Sequence, residues 1–254
     1  MASEIKTISI IGSGNVAHNL GKAFANHVTI VSVHSRNVET GSKLAEELDG
    51  YFAEEIESIL PADLYLVCVS DDEVNTVISQ LPEDASIAYS SGSVSMRDID
   101  KKKNLGVIYP LQTFSKEREI DLFQVPFFIE ATSEVFGQQL FDLSWLLSRK
   151  VVFANSEMRR NLHLAAVMVN NFVNHIDFLA MKFLKSKSLE MDFLKPLIKE
   201  TALKLQSLSP EAAQTGPAIR HDSKTIANHI EMLDGDTKEI YTLLTESIQK
   251  HHQK

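Results

Sequence analysis

The sequence lacks most of the residues that would mark a specialised class. One cysteine, Cys68, among 254 residues excludes a disulfide scaffold and any zinc site built on thiolates. No apolar run approaches the roughly 20 residues of a membrane span. Basic residues are in deficit: 25 Lys and Arg against 34 Asp and Glu leave a formal charge of −9. That balance argues against nucleic acid or an anionic membrane as partner. Internal repeats and low-complexity stretches are also missing. With 44% hydrophobic and 23% charged residues, the chain has an ordinary globular composition. The N-terminal MASEIKTISIIG lacks a long apolar segment and cleavage site, so a cytoplasmic protein without a signal peptide is expected.

The first half alternates β-branched runs with amphipathic stretches. Runs at 8–11, 28–33, 64–69, 87–89, 106–109, 127–129 and 151–153 read as strands, and 15–26, 38–48 and 72–80 carry helical spacing. Strands apolar on both faces and separated by helices imply a mostly parallel sheet covered on both sides. Beyond residue 155 the pattern is helical only, with helices expected at 156–187, 189–208, 224–233 and 237–251. The fold class is therefore α/β: a mostly parallel, Rossmann-type sheet domain at 1–154, then an all-α domain at 155–254.

Gly12-Ser13-Gly14-Asn15-Val16-Ala17 is G-x-G-x-x-A, directly after the first strand and opening the first helix. The first glycine permits the tight turn and the second lets a pyrophosphate approach the backbone. The small third position allows close packing, and the helix N-terminus offers N–H groups. The competing reading is a glycine turn without a ligand. NAD-preferring folds end the second strand on an acid that binds the ribose 2′-OH. Here it ends His34-Ser35-Arg36-Asn37, where Ser35 and Arg36 suit a 2′-phosphate, so NADPH is expected over NADH. Strand-end segments containing Val69 and Ser70, Ser91, and Gln112 and Thr113 should face the same crevice, although Ser, Gly and Asp also make ordinary turns.

The helix from Ser156 is apolar nearly all round from 162 to 184, the mark of burial on most faces. His163, Asn170 and Asn174 form a polar stripe on it, at spacings of seven and four. Their partners are a ligand or a dimer interface. Arg220 and His221 follow a Gly-Pro turn and suit carboxylate binding or proton transfer. The adjoining Asp222 is also placed to cap the next helix.

Together GSGNVA, SR after the second strand, VCVSDDEV, SSGS, YPLQTF, HLAAVMVNNFVNH and TGPAIRHD resemble a family of Rossmann-like NADP oxidoreductases with a helical C-terminal domain of unknown function. The likeness covers nearly the whole chain. Its N-terminal half is similar, more loosely, to pyrroline-5-carboxylate reductase, ketopantoate reductase and the β-hydroxyacid dehydrogenases. The resemblance implies an NADP-binding domain, a helical domain that dimerises and closes over the cofactor, and hydride transfer to or from a small carbonyl or imine. Ala166 and Val167 stand where the β-hydroxyacid dehydrogenases carry a catalytic lysine, and His221 stands where the family loop often has glycine. The proline-glycine-threonine signature of pyrroline-5-carboxylate reductase is missing. The leading expectation is a reductase with His163 as proton donor and Asn170 orienting the carbonyl. Gln112, Thr113, Asn174, Arg220 and His221 would contact substrate, with no metal involved. A non-enzymatic NADP-binding dimeric sensor or scaffold is the alternative.

Overall fold

The computed structural model describes residues 4–100 and 102–252. Two compact units divide between Asn171 and Phe172, whereas the strand series ends at Phe153.

The first unit is built on an eight-stranded sheet in the order β3-β2-β1-β4-β5-β6-β7-β8. Its elements are β1 (Thr7–Ile11), α1 (Asn15–Ala25), β2 (Thr29–His34), α2 (Val38–Glu47), β3 (Tyr51–Ala53), β4 (Leu64–Val67), α3 (Val74–Gln80), β5 (Ser86–Tyr89), β6 (Asn104–Pro110), β7 (Phe127–Ala131), α4 (Glu134–Trp145) and β8 (Val151–Phe153). Every pairing is parallel except β6 with β7, where Ile108 faces Ile129. Pro126 stands just before β7, the strand at which the sheet turns antiparallel.

β1 explains why both faces are covered. Ile8 and Ile10 are fully buried toward one face with Leu20, Phe24 and Leu44, while Ile11 joins Val67, Ile78, Ile87 and Tyr89 in a second cluster. Ser9, polar and fully buried, is satisfied by Ser32 Oγ at 2.8 Å and by donating to the Leu60 carbonyl at 2.7 Å. Buried hydroxyls need such partners.

Two elements go beyond the sequence expectation. β3 is three residues long and pairs at the sheet edge, too short to show alternation. α4 has a long apolar row, with Phe136, Leu140 and Leu143 buried.

The helix begun at Ser156 is α5 (Ser156–Ala166), a π-helical stretch at Val167–Phe172, then α6 (Val173–Ser186). Among the described residues it is the one helix long and apolar enough, by length and composition, to cross a membrane. His163, Asn170, Asn171, Asn174, His175 and Asp177 interrupt it, so it holds no continuous apolar run of that length. The expectation of burial on most faces is corrected. Leu164, Met168, Val169, Phe172, Val173 and Ile176 are all exposed. The second unit continues with α7 (Lys195–Lys204), α8 (Pro210–Ala213), α9 (Ser223–Glu231) and α10 (Gly235–His251), and contains no strand among its described residues.

Candidate functional site

The loop from β1 to α1 is shaped by two glycines with different constraints. Gly12 has φ of +116°, and a Cβ there would sit 2.2 Å from the Cys68 carbonyl oxygen. Only glycine fits. At Gly14 a Cβ would meet nothing within 4 Å, so the space above it is open. Gly14 is the N-cap of α1, without a side-chain cap and with no acidic residue in the first turn. Helix N-termini carry N–H groups without intrahelical acceptors. Here nothing from the first turn neutralises them, and the residues fit the pyrophosphate of a dinucleotide.

Hydroxyls tie this loop to the one after β2. Ser13 Oγ lies 2.7 Å from both Ser35 Oγ and Thr40 Oγ1, and both serines are buried. Asn37 caps α2 by accepting from the Thr40 N–H. Ser35 is thus turned inward against Ser13. Arg36 points outward and its NH1 lies 3.1 Å from Glu73 Oε1. Ser70 and Val69 follow β4, Ser70 exposed and Val69 half-buried. Cys68 just before them is buried, which pushes its thiol up to about 12 and removes it as a nucleophile.

Beside the strand ends lies a cavity of about 570 Å³, lined by residues of the first unit that include Val16, Asp71, Ser91, Gly92, Tyr109, Gln112, Thr113, His163, Asn170 and Asn171. At its base Tyr109 Oη is 3.1 Å from His163 Nδ1, with the rings edge-on. A Cβ at Gly92 would fall 2.6 Å from Tyr109 Cζ and 2.8 Å from His163 Nδ1, so that glycine is what lets the pair meet. Burial pushes the Tyr109 phenol above its ordinary value, keeping it protonated near neutrality. A phenol donating to Nδ1 puts the imidazole proton on Nε2.

One turn before His163 on the same helix, Arg159 is fully buried. Its guanidinium donates to Glu130 Oε2 at 2.7 and 3.1 Å, to the Ser91 carbonyl at 2.7 Å and to the Val94 carbonyl at 3.1 Å. Ser156 Oγ also donates to Glu130. Arg159 therefore pins the start of α5 to the loop after β5 and to β7. Ser91 Oγ accepts from the Ser93 and Val94 N–H groups, closing that loop on itself, and Ser93 Oγ donates to Asp71.

Of the residues singled out from sequence, Val16, Ser91, Gln112, Thr113, His163 and Asn170 line one cavity. The Gln112 amide oxygen accepts from the Thr113 N–H. The reading of Asn170 and Asn174 as buried amides is corrected: both are exposed. The π-helical stretch, with its wider turn, also breaks the 3.6-residue spacing, so Asn171 lines the cavity together with Asn170. Asn174, Arg220 and His221 belong to the second unit, and all three are exposed. His221 has φ of +53°, and Asp222 caps α9 through the Thr225 N–H and hydroxyl. Sequence reasoning missed Arg159 and Glu130; Gly92 and Tyr109 fall in strand-end segments expected to face the crevice, but neither was given a role of its own. Local pattern carried no clear signal for Arg159, which stands beside Glu157, Arg160 and Asn161 in the polar start of its helix.

Residues 7–90 match the family described as NADP oxidoreductase, coenzyme F420-dependent, and residues 125–248 match a domain of unknown function, DUF2520. No curated protein matches the chain. Among solved structures, the "putative NADP oxidoreductase BF3122" of Bacteroides fragilis is 39% identical, with a TM-score of 0.89 over 97% of this chain and 98% of that one. Protein TM1727 of Thermotoga maritima is 22% identical, with a TM-score of 0.80 over 97% and 100%. A reductive aminase from Aspergillus terreus, in complex with NADPH and ethyl-5-oxohexanoate, shares the fold at 14% identity, with a TM-score of 0.72 over 98% and 95%. The glycine loop, the two-part match and the near full-length likeness at 39% identity lead to one conclusion: the chain belongs to the family of NADP oxidoreductases.

Proposed function

We propose that the protein is an NADPH-dependent reductase of a small, uncharged carbonyl compound or imine, acting in the cavity beside the β4, β5 and β6 strand ends. The observation that carries this reading is the Tyr109–His163 pair at the cavity base. The turn from Gly12 through Ser13, Gly14, Asn15 and Val16 would hold the pyrophosphate, with Ala17 letting α1 pack close. Arg36 would hold the 2′-phosphate, with Ser35, engaged by Ser13, shaping the loop beneath it. Val69, Ser70 and Ser91 would meet the remainder of the cofactor. When bound, NADPH supplies the hydride.

His163 then supplies the proton. In the tautomer in which Tyr109 donates to Nδ1, the Nε2–H proton passes to the developing alkoxide or amine nitrogen as the Tyr109 hydroxyl proton moves to Nδ1, so the imidazole stays neutral and water reprotonates the phenolate. Asn170, with Gln112 and Thr113, offers amide and hydroxyl groups that orient the acceptor. Among the described residues no lysine or arginine lines the cavity, which favours a ketone, keto ester or imine over a keto acid. The reductive aminase with the same fold is in complex with a keto ester, and this supports the choice of probe.

The test is NADPH oxidation with ethyl-5-oxohexanoate, with and without a small amine. His163→Ala should lower kcat about 10²- to 10⁴-fold while leaving NADPH affinity intact. If His163→Ala and Asn170→Ala both keep parental turnover, the assignment is wrong.

The exposed apolar side chains of the second unit, among them Phe178, Met181, Phe193, Leu197 and Leu243, support a homodimer formed through that unit. Light scattering that returns a monomer at working concentration refutes it.

A further inference from the structure

Arg36, the residue assigned to the cofactor 2′-phosphate, has a carboxylate partner within the protein. Its NH1 stands 3.1 Å from Glu73 Oε1. Topology places the pair. Arg36 follows β2, and Glu73 lies in the short 3₁₀ turn after β4. β2 and β4 are the two strands that flank β1, and β1 runs into Gly12-Ser13-Gly14. The ion pair thus joins the loops on either side of the phosphate loop, at the carboxyl ends of the strands where open α/β sheets bind their ligands.

The pair is built to open. The Arg36 side chain is 76% exposed and that of Glu73 31%, so water competes for both charges and separation costs little. A phosphate dianion offers a guanidinium more charge and a matching pair of oxygens. Asp72, whose carboxyl is held below its ordinary value chiefly by the Ser70 hydroxyl, also faces Arg36. The guanidinium is therefore screened by carboxylates whenever no phosphate reaches it.

We propose that Glu73 is a specificity-determining residue that competes with the cofactor 2′-phosphate for Arg36. A nucleotide carrying that phosphate displaces Glu73, and one lacking it leaves the pair closed. Glu73 therefore weakens the binding of NADPH and leaves that of NADH unchanged. The inference rests on Arg36 as the 2′-phosphate ligand, and the variants separate the two ideas.

The experiment is titration of NADPH and of NADH, read by nicotinamide fluorescence, for the parent, Glu73→Gln, Arg36→Ala and the double variant. Glu73→Gln should tighten NADPH about two- to fivefold, the range of an exposed ion pair, with NADH binding unchanged. That gain should vanish in the Arg36→Ala background, and should shrink at about 1 M salt, where screening is nearly complete. An unchanged NADPH affinity in Glu73→Gln overturns the proposal. So does equal tightening of both nucleotides, which would show that Glu73 obstructs the cleft rather than occupying Arg36. If Arg36→Ala keeps the parental preference for NADPH over NADH, the assignment of Arg36 itself falls, and the proposal falls with it.

Discussion

Truncating Glu130 to alanine tests whether the Arg159 cluster organises the site. Arg159 is fully buried, and Glu130, with a side chain 19% exposed, is its counter-charge at 2.7 Å. Removing one member of a buried pair leaves the other charge uncompensated, at a cost of about 3–5 kcal/mol. The partial exposure of Glu130 admits water to the vacancy, so the expected loss is at the low end, about 3 kcal/mol. For a chain of this size that corresponds to a fall in Tm of roughly 6–12 °C. Glu130→Gln keeps an oxygen acceptor for the guanidinium and should cost less. The double variant Glu130→Met, Arg159→Met should recover only part of the loss, because the Ser91 and Val94 carbonyls lose the donors they have now. Thermal unfolding of the four proteins at pH 7, checked by denaturant titration, measures these differences. A Glu130→Ala protein within about 0.5 kcal/mol of the parent, the scatter of ordinary surface substitutions, would show that the ion pair does not hold this region together.

Other outcomes follow from burial and from the glycine loop. Burial pushes both the Cys68 thiol and the Tyr89 phenol up to about 12. The unfolded chain therefore releases these protons first as pH rises, and the native state binds more of them. Stability should fall above about pH 9 by up to 1.4 kcal/mol per pH unit for each group; Cys68→Ala should flatten the slope, and an unchanged slope refutes the assignment. Native Cys68 should also resist alkylation at pH 8 until the protein is unfolded, and rapid labelling of the folded protein would contradict its burial. Gly12→Ala should fail to fold or lose several kcal/mol, since its Cβ meets the Cys68 carbonyl at a positive φ. Gly14→Ala should fold like the parent, because no atom lies near its Cβ, yet bind NADPH at least about tenfold more weakly as the methyl blocks the approach of the pyrophosphate. Equal affinity in the folded Gly14→Ala protein would show that no phosphate reaches that backbone.

The parts of this protein legible in its sequence are those written in local pattern. β-Branched runs mark the long strands, and a glycine pair after the first of them marks the turn into α1, because a positive φ and an uncapped N-terminus concern a few adjacent residues. Ser35 and Arg36 are legible for the same reason, sitting at a fixed distance past the glycines. His163 stands out as a polar residue on an apolar helix.

Only the tertiary structure decides what those residues meet. The Tyr109–His163 and Arg159–Ser91 contacts join positions 54 and 68 residues apart, and the Arg36–Glu73 pair depends on β2 and β4 flanking β1. No periodicity within a segment carries that information. The π-helical stretch at Val167–Phe172 overturns the stripe drawn from 3.6-residue spacing, because hydrogen-bond register along a helix responds to packing as well as to residue type. The exposure of the apolar helix is likewise a tertiary fact. Sequence shows that a surface is apolar, but the arrangement of the chain determines which of that surface the protein itself covers.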